Sequence, residues 1–399
     1  MLLALSATLT SATKLFIADY YGTITTASLT AANGEYSFTK TSEAKGCAPN
    51  PSWLTADTNR GLLFCMNEGL TSPIGSLASF TINDDASIKF VKNETSLNGP
   101  VSGVIYGHPA GQRGIALAHY VGSGVSSWLL KGSGKFEHNQ DIVFDGPLGP
   151  DPARQDAPHA HETITDPTGQ YILVPDLGSD LVRTFSWDRK TLKLEALESL
   201  EATPGYGPRH AVFWNPSGLA GEKSTTYMFL VGELSGSVTS FAVTYKANGG
   251  GLDFKNITNS VIDGNKLNAP AEIEVSPDNR FLIISNRDTS FTDQDSLASY
   301  VINKDGTLSG KQLTPVKTAE GAYPRHFSLN KAGNVVAVGL QYANETLILE
   351  RNVTSGEIIQ EPVARLQAGA NVTNVLWAES LDGPASGLLG AGSGQQPLP

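Results

Sequence analysis

The chain has 399 residues, of which 40% are hydrophobic and 17% charged, and it contains only two cysteines. The near-average apolar fraction and low charge exclude a disordered chain, and two cysteines exclude a small disulfide-built scaffold. No apolar run reaches the ~20 residues that span a bilayer, and the net charge of −11 argues against non-specific binding to nucleic acid or to an anionic membrane.

The chain begins with a signal-like segment, residues 1–12. It contains an apolar run at residues 2–9 followed by the small residues Ser11 and Ala12, but it lacks the basic residues of a typical secretory signal. Alternatively, the segment leads into a first strand at Lys14. Five N-x-[ST] sequons favour secretion. The predicted glycosylation sites are Asn93, Asn256, Asn344, Asn352 and Asn371.

Cys47 and Cys65 lie 18 residues apart, around a predicted strand pair. In an oxidising compartment, a disulfide that closes this loop would stabilise the fold by about 3 kcal/mol. The alternative is a pair of buried thiols. Together with the sequons and the N-terminal segment, the two cysteines predict a secreted glycoprotein with one disulfide.

Six similar units follow one another along the chain. Each unit opens with a strand-like segment, then a turn rich in Gly, Asn, Asp or Pro, a strongly apolar strand such as QYILVPDLG, a third strand such as LVRTFSW and a weaker fourth. No segment shows a long helical period. A proline marks the start of each unit, at intervals of 49 to 62 residues: Pro51, Pro100, Pro158, Pro208, Pro270 and Pro324.

Repeated units of four antiparallel strands are typical of the blades of a β-propeller. Predicted strands at 14–19, 22–29 and 35–40 and a last strand at 371–378 supply a seventh blade, which closes the ring and removes open sheet edges. A pair of sandwiches does not explain six similar units, and a β-helix needs a shorter repeat. We therefore predict an all-β, seven-bladed propeller over residues 13–379 and a flexible tail over 380–399.

Polar residues occupy the positions where the strands of this propeller should converge. In an antiparallel pair, the start of the first strand lies beside the end of the second, so both positions should line one mouth of the channel. Those near the repeat prolines are His159, His161, Arg209, His210, Arg325 and His326. Those at second-strand ends are Glu68, Asp176, Glu233, Arg287 and Gln341.

Three of these residues, Arg209, Arg287 and Arg325, come from three different units. Guanidinium groups match the oxygens of carboxylates and phosphates, so three arginines in an acidic protein favour an anionic small molecule. The alternative is salt bridges between blades. Glu233 could hold an arginine or histidine in place, or act as a base.

His159 and His161 are two residues apart and should point to one side of a strand, with Glu162 on the other. No further His or Cys spacing completes a metal site, so we predict no metal. Imidazole titrates near neutral pH, which suits a general base. Alternatively, one of the two histidines only forms a hydrogen bond to a neighbouring blade.

Several motifs in this order resemble the lactonase family, which includes bacterial 6-phosphogluconolactonases of the propeller type and fungal carboxy-cis,cis-muconate cyclases. They are RQDAPHAH (154–161), VPDLGSD (174–180), GYGPRH (205–210), GEL (232–234), SNR (285–287) and YPRH (323–326). The resemblance covers about residues 14–379 and is greatest to secreted fungal carboxymuconate cyclase-like proteins. It implies a seven-bladed propeller without a required cofactor. It also implies catalytic residues at His159 or His161, Arg209, Glu233 and Arg287.

We therefore expect an enzyme that opens or closes a lactone ring in a small anionic substrate, either a carboxylic ester hydrolase or an intramolecular lyase. His159 or His161 would be the base and Arg209 would stabilise the oxyanion. Substrate contacts are assigned to Arg325, His326, His210, Glu68, Asp176 and Gln341. The alternative is a secreted propeller that binds a glycan or a protein without chemistry. The sequence leaves the oligomeric state open.

Overall fold

Short strands rich in β-branched and aromatic residues, separated by tight turns, pair with the next segment along the chain. The computed structural model describes residues 12–72, 74–108, 110–218, 225–262, 268–289, 295–316 and 322–378. In this part of the chain the strands form seven antiparallel sheets, the blades of a propeller. The signal-like segment up to residue 11 and the predicted tail at 380–399 lie outside the described residues.

The blades are numbered from the N-terminus, and the innermost strand of each is given first. Blade 1 consists of β29 (Val372–Trp377), β1 (Thr13–Asp19), β2 (Thr23–Ala32) and β3 (Glu35–Ala44), and blade 2 of β4 (Pro51–Asp57), β5 (Leu62–Asn67), β6 (Ser76–Ile82) and β7 (Ile88–Thr95). Blade 3 consists of β8 (Pro100–Gly107), β9 (Arg113–His119), β10 (Gly124–Leu130) and β11 (Phe136–Val143). Blade 4 consists of β12 (Ile164–Thr165), β13 (Tyr171–Asp176), β14 (Leu181–Trp187), β15 (Leu194–Ala196) and β16 (Leu200–Glu201).

Blade 5 consists of β17 (Pro208–Trp214), β18 (Thr226–Gly232), β19 (Ser237–Tyr245) and β20 (Leu252–Val261). Blade 6 consists of β21 (Asn268–Val275), β22 (Phe281–Asp288), β23 (Ser296–Ile302) and β24 (Leu308–Pro315). Blade 7 consists of β25 (Pro324–Leu329), β26 (Val335–Leu340), β27 (Glu345–Glu350) and β28 (Ala364–Gln367). Three single 3₁₀ turns complete the elements of the described residues: Thr58–Arg60, Gly132–Gly134 and Ala247–Gly249.

The ring is closed by pairing the two ends of the chain. Strand β29 pairs antiparallel with β1, with Leu15 opposite Trp377 and Ile17 opposite Val375. Inner strands of neighbouring blades also contact each other, β25 with β29, β29 with β4 and β17 with β21. The predicted seven-bladed propeller, with its shared terminal blade, is therefore confirmed.

The core lies between the blades rather than within one layer. The described residues form seven apolar clusters, and each combines buried side chains of two neighbouring sheets. At the closing blade, Trp377 is fully buried, and its indole N–H donates to the Ser328 carbonyl oxygen of blade 7 at 3.0 Å. Every blade is thus held by its two neighbours, and this packing makes closure of the ring important for stability.

Cys47 and Cys65 form a disulfide with a Cα–Cα distance of 6.1 Å. Cys47 lies in the connection from blade 1 to blade 2, and Cys65 lies on β5, so the bridge ties these two blades together. In the described part of the chain, no helix has the length and apolar character needed to cross a membrane.

Replacing Trp377 by alanine should destabilise the ring more than any exposed aromatic substitution. The loss of a fully buried indole and its cavity predicts a decrease of about 3–5 kcal/mol in the free energy of unfolding. Urea unfolding measures it, with Tyr21→Ala as control, because Tyr21 is 70% exposed and should change stability by no more than about 0.5 kcal/mol. Equal, small effects of both substitutions would contradict the role given to the closing strand.

Candidate active site

Bulges at the start of the inner strands aim consecutive polar residues into the channel. A proline opens most of these strands because it has no N–H to donate to a ladder. In β17, the register then shifts between Pro208 and Ala211, so Arg209 and His210 together oppose one residue of β18. A bulge of this kind changes the direction of side chains that would otherwise alternate. Consequently, both Arg209 and His210 point toward the same cluster.

Glu233, directly after β18, is the centre of the cluster at the channel mouth. Its Oε2 lies 2.5 Å from Arg209 Nη1 and 3.0 Å from Arg287 Nη2, and its Oε1 lies 2.6 Å from Arg154 Nη2. Arg209, Arg287 and Glu233 have only 5% of their side-chain surface exposed, whereas Arg154 is 40% exposed. One buried carboxylate thus holds three guanidinium groups from different parts of the chain.

Arg209 and Arg287 are also held by backbone carbonyl groups of blade 6. Arg209 Nε donates to the Ala271 oxygen at 3.1 Å, and Arg287 Nε donates to the Ala269 oxygen at 2.9 Å. These contacts orient the two forks toward Glu233 before any ligand binds, which is the arrangement that stabilises an anion without reorganisation.

His161 joins the arginine cluster to a second group of polar residues. Its Nε2 lies 2.5 Å from Arg209 Nη1, and its Nδ1 lies 3.1 Å from His210 Nε2. Because a guanidinium group can only donate, His161 Nε2 must be the acceptor and carry a lone pair. The imidazole therefore presents an unprotonated nitrogen to the arginine cluster.

The second group lies further along the inner strands, away from the mouth. His210 Nδ1 lies 3.1 Å from Glu272 Oε1, and the other oxygen of this carboxylate lies 3.2 Å from His326 Nε2. The ring of Trp53 meets both imidazoles edge-on, at centroid distances of 5.5 Å to His210 and 5.1 Å to His326. All of these polar side chains are buried.

The charge states follow from burial and from the neighbouring charges. Burial alone would favour a protonated Glu233, but the guanidinium groups of Arg287 and Arg209 hold the pKa of this carboxyl well below its usual range. Burial, reinforced by Arg209, lowers the pKa of His161 well below the usual value, so this imidazole is neutral at neutral pH. Burial and the Arg287 charge lower the pKa of Arg209 to about 10, and Arg209 stays charged.

His159 and Asp176 are placed beside the cluster rather than in it. His159 stacks on Tyr120 with centroids 4.2 Å apart, and its Nδ1 lies 2.9 Å from the Tyr120 backbone oxygen, on the neighbouring blade. Asp176 accepts the His159 backbone N–H at 2.8 Å and pairs with Arg183 at 2.8 Å. Between the two predicted bases, the geometry favours His161, and Asp176 serves to hold the segment that carries both histidines.

Arg325 belongs to a separate group at the mouth. Its Nη2 lies 3.6 Å from Glu68 Oε2, which also accepts the Tyr20 hydroxyl at 2.5 Å, and its guanidinium group lies over the Tyr20 ring. Gln341 is buried just after β26, and its backbone N–H donates to the Tyr323 carbonyl oxygen at 3.1 Å. The sequence allowed the arginines either to bind an anion or to form salt bridges between blades. For Arg325, the salt bridge is present, and it joins blade 7 to blade 2.

Sequence reasoning assigned no role to Arg154, Glu272 or Tyr120, although the structure places each against a predicted site residue. Arg154 lies in a long connection before β12, where strand periodicity gives no information. Glu272 lies in the bulge of β21, between Pro270 and Ile273. Its position after a repeat proline, like that of Arg209, was the available signal.

The expectation that Glu162 faces away from the channel is wrong. Its Oε1 lies 3.9 Å from His210 Nδ1. Side chains do not alternate between two faces here, because residues 159–163 do not form a regular strand. Among these residues, only Ala160 forms a β-bridge, and its partner is Asp176. Burial and then the Glu272 charge raise the pKa of Glu162 well above its usual value, which indicates a protonated, neutral carboxyl group.

Glu162, His210 and Glu272 offer oxygen and nitrogen atoms that all lie within 4.8 Å of one another, a spacing that a divalent cation could use. The nitrogen concerned, His210 Nδ1, already lies 3.1 Å from Glu272 Oε1. A cation bound to this nitrogen would therefore have to replace an existing hydrogen bond.

Comparison with known proteins supports the lactonase family that the sequence motifs resemble. The family model described as lactonase, 7-bladed beta-propeller, matches residues 8–376. A probable 6-phosphogluconolactonase from Arthroderma benhamiae is 32% identical over 343 residues, which are 84% of this chain and 83% of that protein. A 6-phosphogluconolactonase from Formosa agariphila is 26% identical over 78% of this chain and 84% of its own length.

Solved structures agree at the level of the fold. The crystal structure of a putative 6-phosphogluconolactonase from Bacteroides fragilis superposes with a TM-score of 0.76 at 22% identity, covering 92% of this chain and 98% of that chain. A periplasmic gluconolactonase from Pseudomonas aeruginosa gives the same score at 21% identity, covering 92% and 99%. With the match over residues 8–376, the chain belongs to the lactonase family of seven-bladed β-propellers, as its motifs indicated.

Replacing Glu233 by glutamine should leave three guanidinium groups without their shared counter-charge. Breaking a buried ion pair from one side predicts a loss of about 3–5 kcal/mol in the free energy of unfolding. Urea unfolding measures this loss, with Glu137→Gln as control. Glu137 pairs with Lys131 at the surface and is 64% exposed, and such a pair contributes about 0–1 kcal/mol.

Inorganic phosphate should then stabilise the Glu233→Gln variant more than the wild type, because the anion can take the place of the missing carboxylate. If phosphate raises the unfolding midpoints of both proteins equally, the anion does not take the place of the Glu233 carboxylate.

Proposed function

We propose that this chain hydrolyses the ring ester of a lactone that carries a carboxylate or phosphate group. The observation that carries the proposal is the contact of one unprotonated imidazole nitrogen, His161 Nε2, with a guanidinium group of the arginine cluster around Glu233. Ester hydrolysis needs a base for water and a cation for the oxyanion, and these two groups lie side by side.

The charge balance at the mouth supports an anionic substrate. Three guanidinium groups share the single carboxylate of Glu233, which leaves a net charge of about +2 in a protein whose total is −11. Arg154, the most exposed of the three, can reach a ligand at the mouth with little loss of its pairing. Arg287, whose guanidinium group lies over the Tyr323 ring, is the second anion contact.

The reaction assigns one step to each group. As the substrate binds, the Arg209 N–H that His161 Nε2 accepts turns to the lactone carbonyl oxygen and frees the Nε2 lone pair. A water molecule between His161 and the bound lactone then gives a proton to Nε2, and its oxygen adds to the ring carbonyl carbon. The carbonyl electron pair moves onto oxygen, and the resulting oxyanion is stabilised by Arg209. When the ring C–O bond breaks, the leaving alkoxide takes the proton back from His161, and a hydroxy acid is released.

The names of the relatives are consistent with this reaction. The relatives from Arthroderma benhamiae and Formosa agariphila are named as a probable 6-phosphogluconolactonase and a 6-phosphogluconolactonase. A phosphorylated sugar lactone is therefore the first substrate to assay, followed by unphosphorylated aldonolactones and by muconolactones. The last group is included because the sequence also resembles muconate cyclases.

We also propose that the protein is secreted. Supporting features are the Cys47–Cys65 disulfide and the exposure of three sequon asparagines, Asn93, Asn256 and Asn352; the other two, Asn344 and Asn371, are partly exposed. Expression in a eukaryotic secretory host should give glycosylated protein in the medium, and peptide mass spectrometry locates the glycans. Intracellular protein with free thiols and unmodified sequons would contradict secretion.

Replacing Arg209 by alanine should lower kcat by about 10²- to 10³-fold, because the oxyanion loses its main cationic partner. Proton release in a weakly buffered indicator assay measures turnover, and circular dichroism and the unfolding midpoint confirm the fold. Arg365→Ala is the matched control, since Arg365 is an exposed arginine paired with Glu345 and should leave kcat unchanged.

Full activity of the folded Arg209→Ala variant would refute the role of Arg209. Absence of proton release by wild type on every lactone would refute hydrolysis. Lactone formation from an unsaturated dicarboxylate in the same samples would then identify a cyclase, and its absence would favour a binding protein.

A further inference from the structure

A row of polar groups runs from the arginine cluster into the channel, hydrogen-bonded as far as Glu272 and extended to His326 by an ion-pair contact. It passes from Arg209 to His161, from His161 to His210, from His210 to Glu272 and from Glu272 to His326, with N···N and N···O distances of 2.5, 3.1, 3.1 and 3.2 Å. These residues come from four different inner strands or their approaches. The reaction described above uses only the first two of them.

The direction of each hydrogen bond is determined by the groups at the ends of the row. Arg209 can only donate, so His161 Nε2 accepts and the His161 proton lies on Nδ1. His161 then donates to His210 Nε2, which leaves the His210 proton on Nδ1, facing the Glu272 carboxylate.

At the His326 end of the row, the position of the proton is determined in the same way. The Val375 backbone N–H points at His326 Nδ1 at 3.5 Å, so the His326 proton lies on Nε2, facing the second oxygen of Glu272. Glu272 therefore accepts from His210 on one side and faces the His326 N–H at an ion-pair distance of 3.2 Å on the other, as an ionised carboxylate does. In agreement, although burial opposes ionisation, His210 and His326 lower the pKa of Glu272 to about 2.

We propose that His210 and Glu272 are positioning residues that make His161 Nε2 the base, and that His210 receives the positive charge created when His161 takes a proton. This inference rests on the proposed lactone hydrolysis. When water gives a proton to His161 Nε2, the Nδ1 proton of His161 passes to His210 Nε2. His161 stays neutral, and His210 becomes an imidazolium ion next to the Glu272 carboxylate. The protons return in the reverse order when the alkoxide leaves.

Moving the charge is favourable for electrostatic reasons. A positive charge on His161 would lie 2.5 Å from a guanidinium nitrogen, in a buried place where repulsion is strong. A positive charge on His210 lies instead 3.1 Å from a carboxylate oxygen. The row therefore allows a base to work beside the arginine that stabilises the oxyanion.

Glu272→Gln tests the proposal, with Glu274→Gln as the matched control. Glu274 lies two residues further on the same strand, and its carboxylate accepts the Leu329 N–H at 3.1 Å, a contact that a glutamine oxygen retains. Both variants are compared with wild type in kcat, KM, the pH profile of kcat/KM and the unfolding midpoint.

We expect Glu272→Gln to lower kcat by about 10- to 100-fold with little change in KM. The acid limb of the pH profile of kcat/KM should move to lower pH in this variant. The imidazolium form of the His161–His210 pair loses the negative charge of Glu272, which lowers the pKa of the pair, and the pair is active in its neutral form. Glu274→Gln should match wild type. Glu162 also faces His210 Nδ1, at 3.9 Å, and loses the repulsion of Glu272 in the Glu272→Gln variant, so the pH profile is measured in Glu162→Gln and in the double variant as well. A loss of activity in the double variant without movement of the acid limb would overturn the proposal, because it would show a merely structural role.

Nitrogen-15 NMR of histidine-labelled protein reads the tautomers without any substrate, so it separates failure of this proposal from failure of the proposed function. With signals assigned from His161→Gln and His210→Gln, wild type should show Nδ1–H on both residues. Nε2–H on either residue would overturn the row. A lactonase activity lost to a chelator and restored by a divalent cation would overturn it too, because the cation would occupy His210 Nδ1.

Discussion

The arrangement of the channel mouth depends on the ion pairs of one buried carboxylate, that of Glu233. It contacts guanidinium groups from the connection before blade 4, from blade 5 and from blade 6. Without this anion, the two buried guanidinium groups and the more exposed Arg154 would repel one another, since charges in a protein interior are weakly screened. The carboxylate thus makes the cluster possible, and it leaves enough uncompensated positive charge for an anion to bind.

The ring of blades explains why such a cluster can exist at one mouth. Seven sheets packed side by side place the starts of their inner strands around a common axis, and the apolar residues are used between the blades. Polar groups at the channel are consequently buried among other strand starts. They must satisfy each other, and this requirement accounts for the cross-blade contacts of Arg209, His161 and Glu272.

The propeller itself was predictable because its signals are local and repeated. Most repeat prolines open an inner strand, as Pro208 and Pro324 do, and the turns that follow contain the residues that tight turns require. The terminal blade followed from the need to cover open edges, and the observed pairing of Leu15 with Trp377 confirms it. The clustering of Arg209, Glu233 and Arg287 followed from strand geometry and from the family resemblance together.

The remainder of the site depended on features that a strand pattern does not contain. The bulge after Pro208 lets two successive residues share one face, so simple alternation could not place His210 beside His161. The same holds for Glu272, in the bulge after Pro270. Arg154 reaches Glu233 across 79 positions of sequence from an irregular connection, and only the folded chain shows this contact.

Charges of opposite sign are separated along the channel. Arginines dominate the mouth, whereas the groups further along the inner strands are histidines and the carboxylate of Glu272, with His161 at the boundary. An anionic substrate is attracted to the first region, and a proton removed from water is attracted to the second. His161, between the two regions, can therefore act as the base next to the bound substrate. The electric field that attracts the anionic substrate to the arginines also attracts protons away from them, toward Glu272.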